Sequence, residues 1–228
     1  MQIVLDLVAV FLAYVIGSIP FGLVIVKLKT GKDIREVESG RTGGTNALRA
    51  AGFWAGIGTA LLDILKGAVA VWLARWISPE QAWLHVIAPL AAIIGHNYSI
   101  FLAERDANGK FRLRGGAGGA PSVGGAWGLF PASILIILPL GVLVFFTIGI
   151  ASVTTMAVAF FAIIVFAIYA AQDVLPWWYV LYGVGAELLL IWALRPNLKK
   201  LFAGQERVVG ISLHGWLKKK QAEKQQNS

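Results

Sequence analysis

Long apolar stretches fill this chain, and its polar residues gather between them. A window of about 19 residues, enough to cross a hydrocarbon core as a helix, finds apolar spans at 4–26, 53–74, 83–103, 131–150, 154–171 and 177–194. The shorter, glycine-rich run 122–129 is expected to be a seventh helix, short or re-entrant, because such backbone is tolerated at membrane depth only under protein or water. SPEQ at 78–81, FP at 130–131 and DVLP at 173–176 are turn signals at the helix ends. Trp76, Trp83, Trp177, Trp178 and Tyr179 beside them suit an interfacial aromatic belt, or ordinary core aromatics. The first run follows Met-Gln with no basic leader and no small-residue cleavage site, so it is read as a span and not as a cleaved signal.

Composition turns this pattern into a class. Of 228 residues 57% are hydrophobic and only 14% charged, and the mean hydropathy is +0.72, far above that of an ordinary soluble domain. The expectation is an all-α, polytopic membrane bundle of about seven helices, with one integral domain over 1–210 and a basic tail over 211–228. The absence of cysteine excludes a disulfide framework, Cys-ligated zinc and a thiol nucleophile. All of the 20 Lys and Arg except Lys66 and Arg75 lie in 27–49, 105–114 and 195–224, on one side if seven helices start outside. The positive-inside rule makes that side cytoplasmic, with the N-terminus outside and the C-terminus within. A net charge of +8 placed this close to the spans favours anionic lipid over nucleic acid as its partner. The tail WLKKKQAEKQQNS reads as a solvated, lipid-touching end.

Four polar segments carry the candidate chemistry. In SGRTGGTNALR (39–49), Gly40, Gly43 and Gly44 free backbone amides, Ser39, Thr42 and Thr45 add hydroxyls, and Asn46 and Arg49 add an amide and a guanidinium. Leading into a helix, this describes a phosphate cradle, or simply a helix cap. Asp63 and Lys66 in LLDILKGA are three residues apart on one face of an apolar span, where charged groups mark a site or pair with each other. The third segment runs from GHNYSIF through ERDANGKFRLR, with DANGK as a tight turn, into GGAGGAPSVGG, and includes His96. The fourth, RPNLKKLFAGQE, places Asn197, two lysines and Glu206 just past the last span. His85, His96 and His214 are too scattered for metal-ligand spacing, and no metal or cofactor is expected.

Together these residues resemble the bacterial acyl-phosphate-dependent glycerol-3-phosphate acyltransferases of the inner membrane, from GSIPFG at 17–22 through AGQE at 203–206. SGRTGGTNALRAAG is similar to that family's SGNxGATNxxRxxG, LDILKGA to its LDxxKG, and GHNYSIF with RGGAGGAP to its GHxxPxF with KGGKGVAT. The resemblance implies seven helices with a cytoplasmic active site, where an acyl group passes from acyl phosphate to the 1-hydroxyl of sn-glycerol 3-phosphate. It assigns Ser39, Asn46, Arg49 and Asn197 as catalytic. It assigns Gly40, Gly43, Gly44, Thr45, Gly115, Gly116, Gly118 and Glu206 to substrate and phosphate, with Asp63, Lys66 and His96 in support. It also implies membrane lipids as surroundings and a functional link to an enzyme that makes acyl phosphate.

Two departures stand out. Ala117 occupies the place of the family's lysine in GGKG, and Leu194 that of the histidine in its HRENxKRLLxGxE. The insertion bearing Lys110, Arg112 and Arg114 is a candidate source of the missing cation, with Arg112 and Arg114 taken as phosphate-binding; a weaker or altered-acceptor enzyme is the alternative. Because an acyl phosphate is already activated, no Ser-His-Asp triad is needed, and no elbow motif is present. Direct attack by the glycerol hydroxyl, with the departing phosphate taking its proton, fits this set. The competing classes are a non-catalytic phosphate or lipid binder and a small transporter using Asp63, Lys66 and Glu187.

Overall fold

The first apolar run is broken in the middle. In the computed structural model, which describes residues 1–105 and 108–226, helix α1 (Gln2–Ser18) stops at Ile19 and α2 (Phe21–Thr30) begins after Pro20. Proline has no N–H and disfavours helix in the residue before it, so the single span expected at 4–26 becomes two pieces. Breaking a helix at membrane depth frees carbonyls that need donors from elsewhere in the protein. Lys66 Nζ donates to Ile19 O at 3.0 Å, and Ser99 Oγ to Ser18 O at 2.6 Å. The same ammonium stands 2.8 Å from Asp63 and donates to His96 Nδ1 at 2.8 Å. Two hydrogen bonds and one ion pair thus hold this ammonium within the protein.

After the short α3 (Gly44–Ala51), α4 (Phe53–Ile77) and α5 (Ala82–Asn97) form an antiparallel pair joined by the expected turn. A small hairpin follows, β1 (Ala103–Arg105) against β2 (Phe111–Leu113), with Glu104 opposite Arg112. Asp106 and Ala107 of the expected DANGK turn lie outside the described residues. Then come α6 (Gly119–Leu129), α7 (Ile134–Thr147), α8 (Ala151–Ala171), α9 (Trp178–Phe202) and the C-terminal α10 (Leu213–Gln226). Among the described residues, five helical stretches are long and apolar enough to cross a membrane: Gln2–Thr30, Phe53–Ile77, Ala82–Leu102, Ala151–Ala171 and Trp178–Phe202. Pro131–Thr147 is a shorter apolar helix.

Helix α6 is the buried short helix expected near 122–129. Its 11 residues rise about 16 Å, roughly half of a hydrocarbon core, and most of them are buried. Glycines let it press against α4: a Cβ on Gly124 would fall 1.8 Å from Ile64 O, and one on Gly67 2.2 Å from Pro121 O. Tyr182 of α9 donates to Ser122 O at 2.7 Å and joins Ile64, Val123, Phe166 and Leu190 in the main core. At the other end of α6, Phe130 N donates to Ala126 O, and Arg75 donates to the carbonyls of Gly128 and Leu129 at 3.0 and 2.9 Å, groups that a helix end leaves without intrahelical partners. Trp76, Trp83, Trp177 and Trp178 are exposed as a belt requires, but Tyr179 is a core residue, packed on Phe166 and hydrogen-bonded by Arg75.

Lys66→Met would strand the Asp63 carboxylate, 1% exposed, and leave Ile19 O unpaired, a loss of about 3–5 kcal/mol for a broken buried pair. Thermal unfolding in detergent is expected to show this as a lowered midpoint, with Asp63→Asn/Lys66→Met more stable than Lys66→Met alone.

Candidate active site

The polar segments that are scattered in sequence meet at one cavity of about 570 Å³. Its polar end is lined by Ser39, Arg41, Thr45, Arg49, Asn197 and Glu206, and its apolar end by Leu138, Val142, Phe145, Phe146 and Val158. At the apolar end α7 and α8 approach closely at Gly141, where a Cβ would fall 2.5 Å from Val158. Such a cavity suits an acyl chain with an anionic head.

Local sequence shapes the polar end. Gly40, at φ +67°, turns the first loop where an L side chain would be strained. Asn46 then pins that loop from inside: its Nδ2 donates to Ile34 O, Val37 O and Arg41 O at 3.1, 3.0 and 2.8 Å. Neither α3 nor α6 is closed by a capping side chain, and residues at both helix starts, Gly43 to Thr45 and Gly118 to Ala120, line the cavity. Uncapped N-termini carry unpaired N–H groups and the positive end of the helix dipole. The cavity therefore has two ready anion sites.

Contacts across the chain hold these two starts together. Thr42 N donates to Gly115 O at 3.3 Å, and Gly116 N to His96 O at 2.8 Å. A Cβ on Gly116 would fall 1.9 Å from His96 Nε2, so the glycine loop lies directly on the imidazole that Lys66 holds. The Arg41 guanidinium donates to Gly116 O (2.7 Å), Ala193 O (2.6 Å) and Asn197 Oδ1 (3.1 Å), joining the first loop, the glycine loop and α9 beside its internal Pro196. Glu206 accepts from Ser152 Oγ at 2.5 Å and from Asn197 Nδ2 at 3.2 Å. Burial lowers the pKa of both Arg41 and Arg49 from the usual guanidinium range, and the Glu206 charge opposes it. An ion pair between Glu38 and Arg207 closes the rim.

Of the residues expected in the site, Ser39, Asn46, Arg49, Asn197, Gly43, Gly44, Thr45, Gly118 and Glu206 line the cavity, as do Asp63 and His96. Gly40, Gly115, Gly116 and Lys66 stand behind its wall, shaping the loops as described. Arg112 and Arg114 belong elsewhere: both are on the hairpin side, where Arg114 pairs with Glu104, and neither is a lining residue. The cations that line the cavity are Arg41, Arg49, Lys200 and Arg207. Asn46 has a structural part that the sequence does not announce, since its Nδ2 is engaged by three loop carbonyls, while its buried Oδ1 has no hydrogen-bond partner among the described residues. Sequence reasoning passed over Arg41 and Ser152. Arg41 sits inside the motif, so comparing SGRTGG with SGNxGA letter by letter exposes it; Ser152 opens an apolar helix and has no local signal.

The fold and cavity define a class first: a helical membrane protein that sets an apolar chain-sized groove beside two anion sites. The glycerol-3-phosphate acyltransferase family matches residues 7–204, and the chain belongs to that family. A glycerol-3-phosphate acyltransferase of Thermus thermophilus is 37% identical over 199 residues, covering 87% of this chain and 92% of that one. Glycerol-3-phosphate acyltransferase 2 of Moorella thermoacetica is 37% identical over 208 residues, covering 90% and 97%. The crystal structure of PlsY (YgiH), an integral membrane glycerol 3-phosphate acyltransferase, in its glycerol 3-phosphate form superposes with a TM-score of 0.75 at 29% identity, covering 90% of this chain and 96% of that one. Its lysophosphatidic acid form gives 0.72 at 28%.

Asn46→Ala would free three loop carbonyls of their donor, at about 1–3 kcal/mol. The expected result is a lower unfolding midpoint together with a raised KM, whereas Arg112→Ala is expected to leave KM near wild type; steady-state kinetics on folded protein check both.

Proposed function

We propose that the chain transfers an acyl group from acyl phosphate to the 1-hydroxyl of sn-glycerol 3-phosphate, giving lysophosphatidate and inorganic phosphate. The observation that carries this reading is the joining, in one cavity, of two uncapped helix starts, four cations and an apolar groove. Each substrate brings a phosphate, and one brings an acyl chain. Arg49, Ser39 and Thr45 at the first helix start and Gly118 at the second bind the phosphates, while the groove along α7 and α8 takes the chain. The glycerol hydroxyl attacks the acyl carbon, the carbon–oxygen bond to phosphate breaks, and the leaving phosphate accepts the hydroxyl proton. Preorganised N–H donors stabilise the developing oxyanion, and holding both substrates in one geometry supplies the proximity term. In this reading Asn197 and Glu206 fix the far wall of the site, and Asp63, Lys66 and His96 hold the glycine loop.

The same reading gives the chain seven membrane segments, the five long helical stretches plus α6 and α7, with the N-terminus outside and the C-terminus cytoplasmic. It supports this that the basic segments 27–49, 105–114 and 195–224 then share one side. The enzyme would lie in a bacterial inner membrane with its site facing the cytoplasm, residues 1–210 forming the catalytic domain and 211–228 a tail at the lipid surface. It would receive its donor from an enzyme that makes acyl phosphate.

Purified protein given acyl phosphate and glycerol 3-phosphate is expected to form lysophosphatidate and release one phosphate per turnover; binding of both without product would leave a non-catalytic binder. Arg49→Ala is expected to lower kcat/KM by roughly tenfold or more, the loss of a charge-assisted contact of about 1.5–3 kcal/mol. Lys220→Ala, exposed on α10 against Trp216, is expected to change nothing. With labelled donor, an acyl-enzyme trapped on Ser39 would rule out direct transfer.

A further inference from the structure

Arg41 is the one motif residue that neither the sequence pattern nor the proposed chemistry accounts for. Where the family pattern SGNxGATN has asparagine, this chain has Arg41, and where KGGKGVAT has its second lysine, this chain has Ala117. These two positions lie on different loops, 76 residues apart in sequence, since one is residue 41 and the other 117. In space they are neighbours. The Arg41 guanidinium donates to the carbonyl of Gly116, the residue just before Ala117, and both Arg41 and Ala117 line the cavity.

We infer that Arg41 is the phosphate-binding cation of the second anion site, a charge moved from the glycine loop to the first loop, with Ala117 as the small residue that makes room for it. Counting donors supports this. A guanidinium has five N–H groups; Arg41 directs three bonds at Gly116 O, Ala193 O and Asn197 Oδ1, and the rest remain for a ligand. Charge balance supports it as well. Among the described residues no carboxylate comes within ion-pair distance of Arg41: Glu38, Glu104 and Asp63 each pair with another cation, and Glu206, whose charge reaches Arg41 only at longer range, is held by Ser152 and Asn197. A partly buried cation without a counterion is costly unless an anion completes it, and the cavity is where that anion would sit. The three bonds meanwhile fix the guanidinium plane, so that Nε–H and the second Nη1–H, the two donors left over, point in set directions, a rigidity that arginine has and lysine lacks. The position of the charge also explains why Arg112 and Arg114 are not needed at the cavity.

The inference rests on the proposed acyl transfer only for the identity of the anion, so its test has a readout that does not depend on turnover. Wild type, Arg41→Asn, Arg41→Lys, Ala117→Lys and Arg41→Asn/Ala117→Lys are purified in detergent, and unfolding midpoints are measured with and without inorganic phosphate or glycerol 3-phosphate. Both anions are expected to raise the wild-type midpoint, to raise that of Arg41→Asn by clearly less, because only the first site then keeps its cation, and to regain the lost part with Arg41→Asn/Ala117→Lys. In the acyltransfer assay, Arg41→Asn is expected to lose about ten- to a hundredfold in kcat/KM, and the double variant to recover at least about tenfold of that. Recovery separates charge from scaffolding, because a lysine at 117 cannot rebuild the bonds to Ala193 O and Asn197. Should Arg41→Asn itself fail to fold, Arg41→Lys answers the question by retaining the anion response with a higher KM. A double variant no better than Arg41→Asn in either readout, or an Arg41→Asn that keeps the full anion response, would overturn the inference. Anion responses as expected in a wild type that makes no product would uphold Arg41 and overturn the acyltransfer reading instead.

Discussion

The ammonium of Lys66 is the interaction on which the rest of this structure depends. A break in the first span is needed to carry the chain from α1 to the cavity loop, and such a break exposes carbonyls at a depth where water cannot serve them. Lys66 answers Ile19 O, donates to His96 and pairs with Asp63 by charge. The His96 ring then forms the floor on which Gly116 lies. One buried charge thus connects the bend in the first span to the position of the glycine loop, and a pair that would be a poor source of stability alone specifies a geometry.

Above that floor, the site is built from backbone more than from side chains. Two helix starts without caps supply N–H groups and dipole ends, and the arginines add charge where water is partly excluded. Acyl transfer from an activated donor asks for orientation and oxyanion stabilisation rather than a nucleophile. Among the described residues no serine of the cavity is hydrogen-bonded to a histidine, which is consistent with that demand, and so is the pinning of the first loop by Asn46 Nδ2.

The groove wall has its own support. Past residue 204, where the family match ends, Val209 N donates to Gly149 O at 2.7 Å and Ile150 pairs with Val208. Glu206 meanwhile holds Ser152 at the start of α8. The segment leading to α10 therefore clamps the α7–α8 corner that borders the apolar end of the cavity.

Much of this protein was legible in its sequence. Hydropathy located the long helices because membrane burial demands continuous apolar runs, glycine density located the short α6, and the polar motifs pointed to loops that line one cavity. What sequence could not reach was set by contacts between distant residues: the break stitched by Lys66, the core placement of Tyr179, the diversion of Arg112 and Arg114 to the hairpin, and the arrival of Ser152 beside Glu206. Arg41 shows the difference most plainly. Its identity is written in the motif, but its reach to Gly116, Ala193 and Asn197 exists only once three loops are packed, because a hydrogen bond depends on distances in space that residue order does not encode.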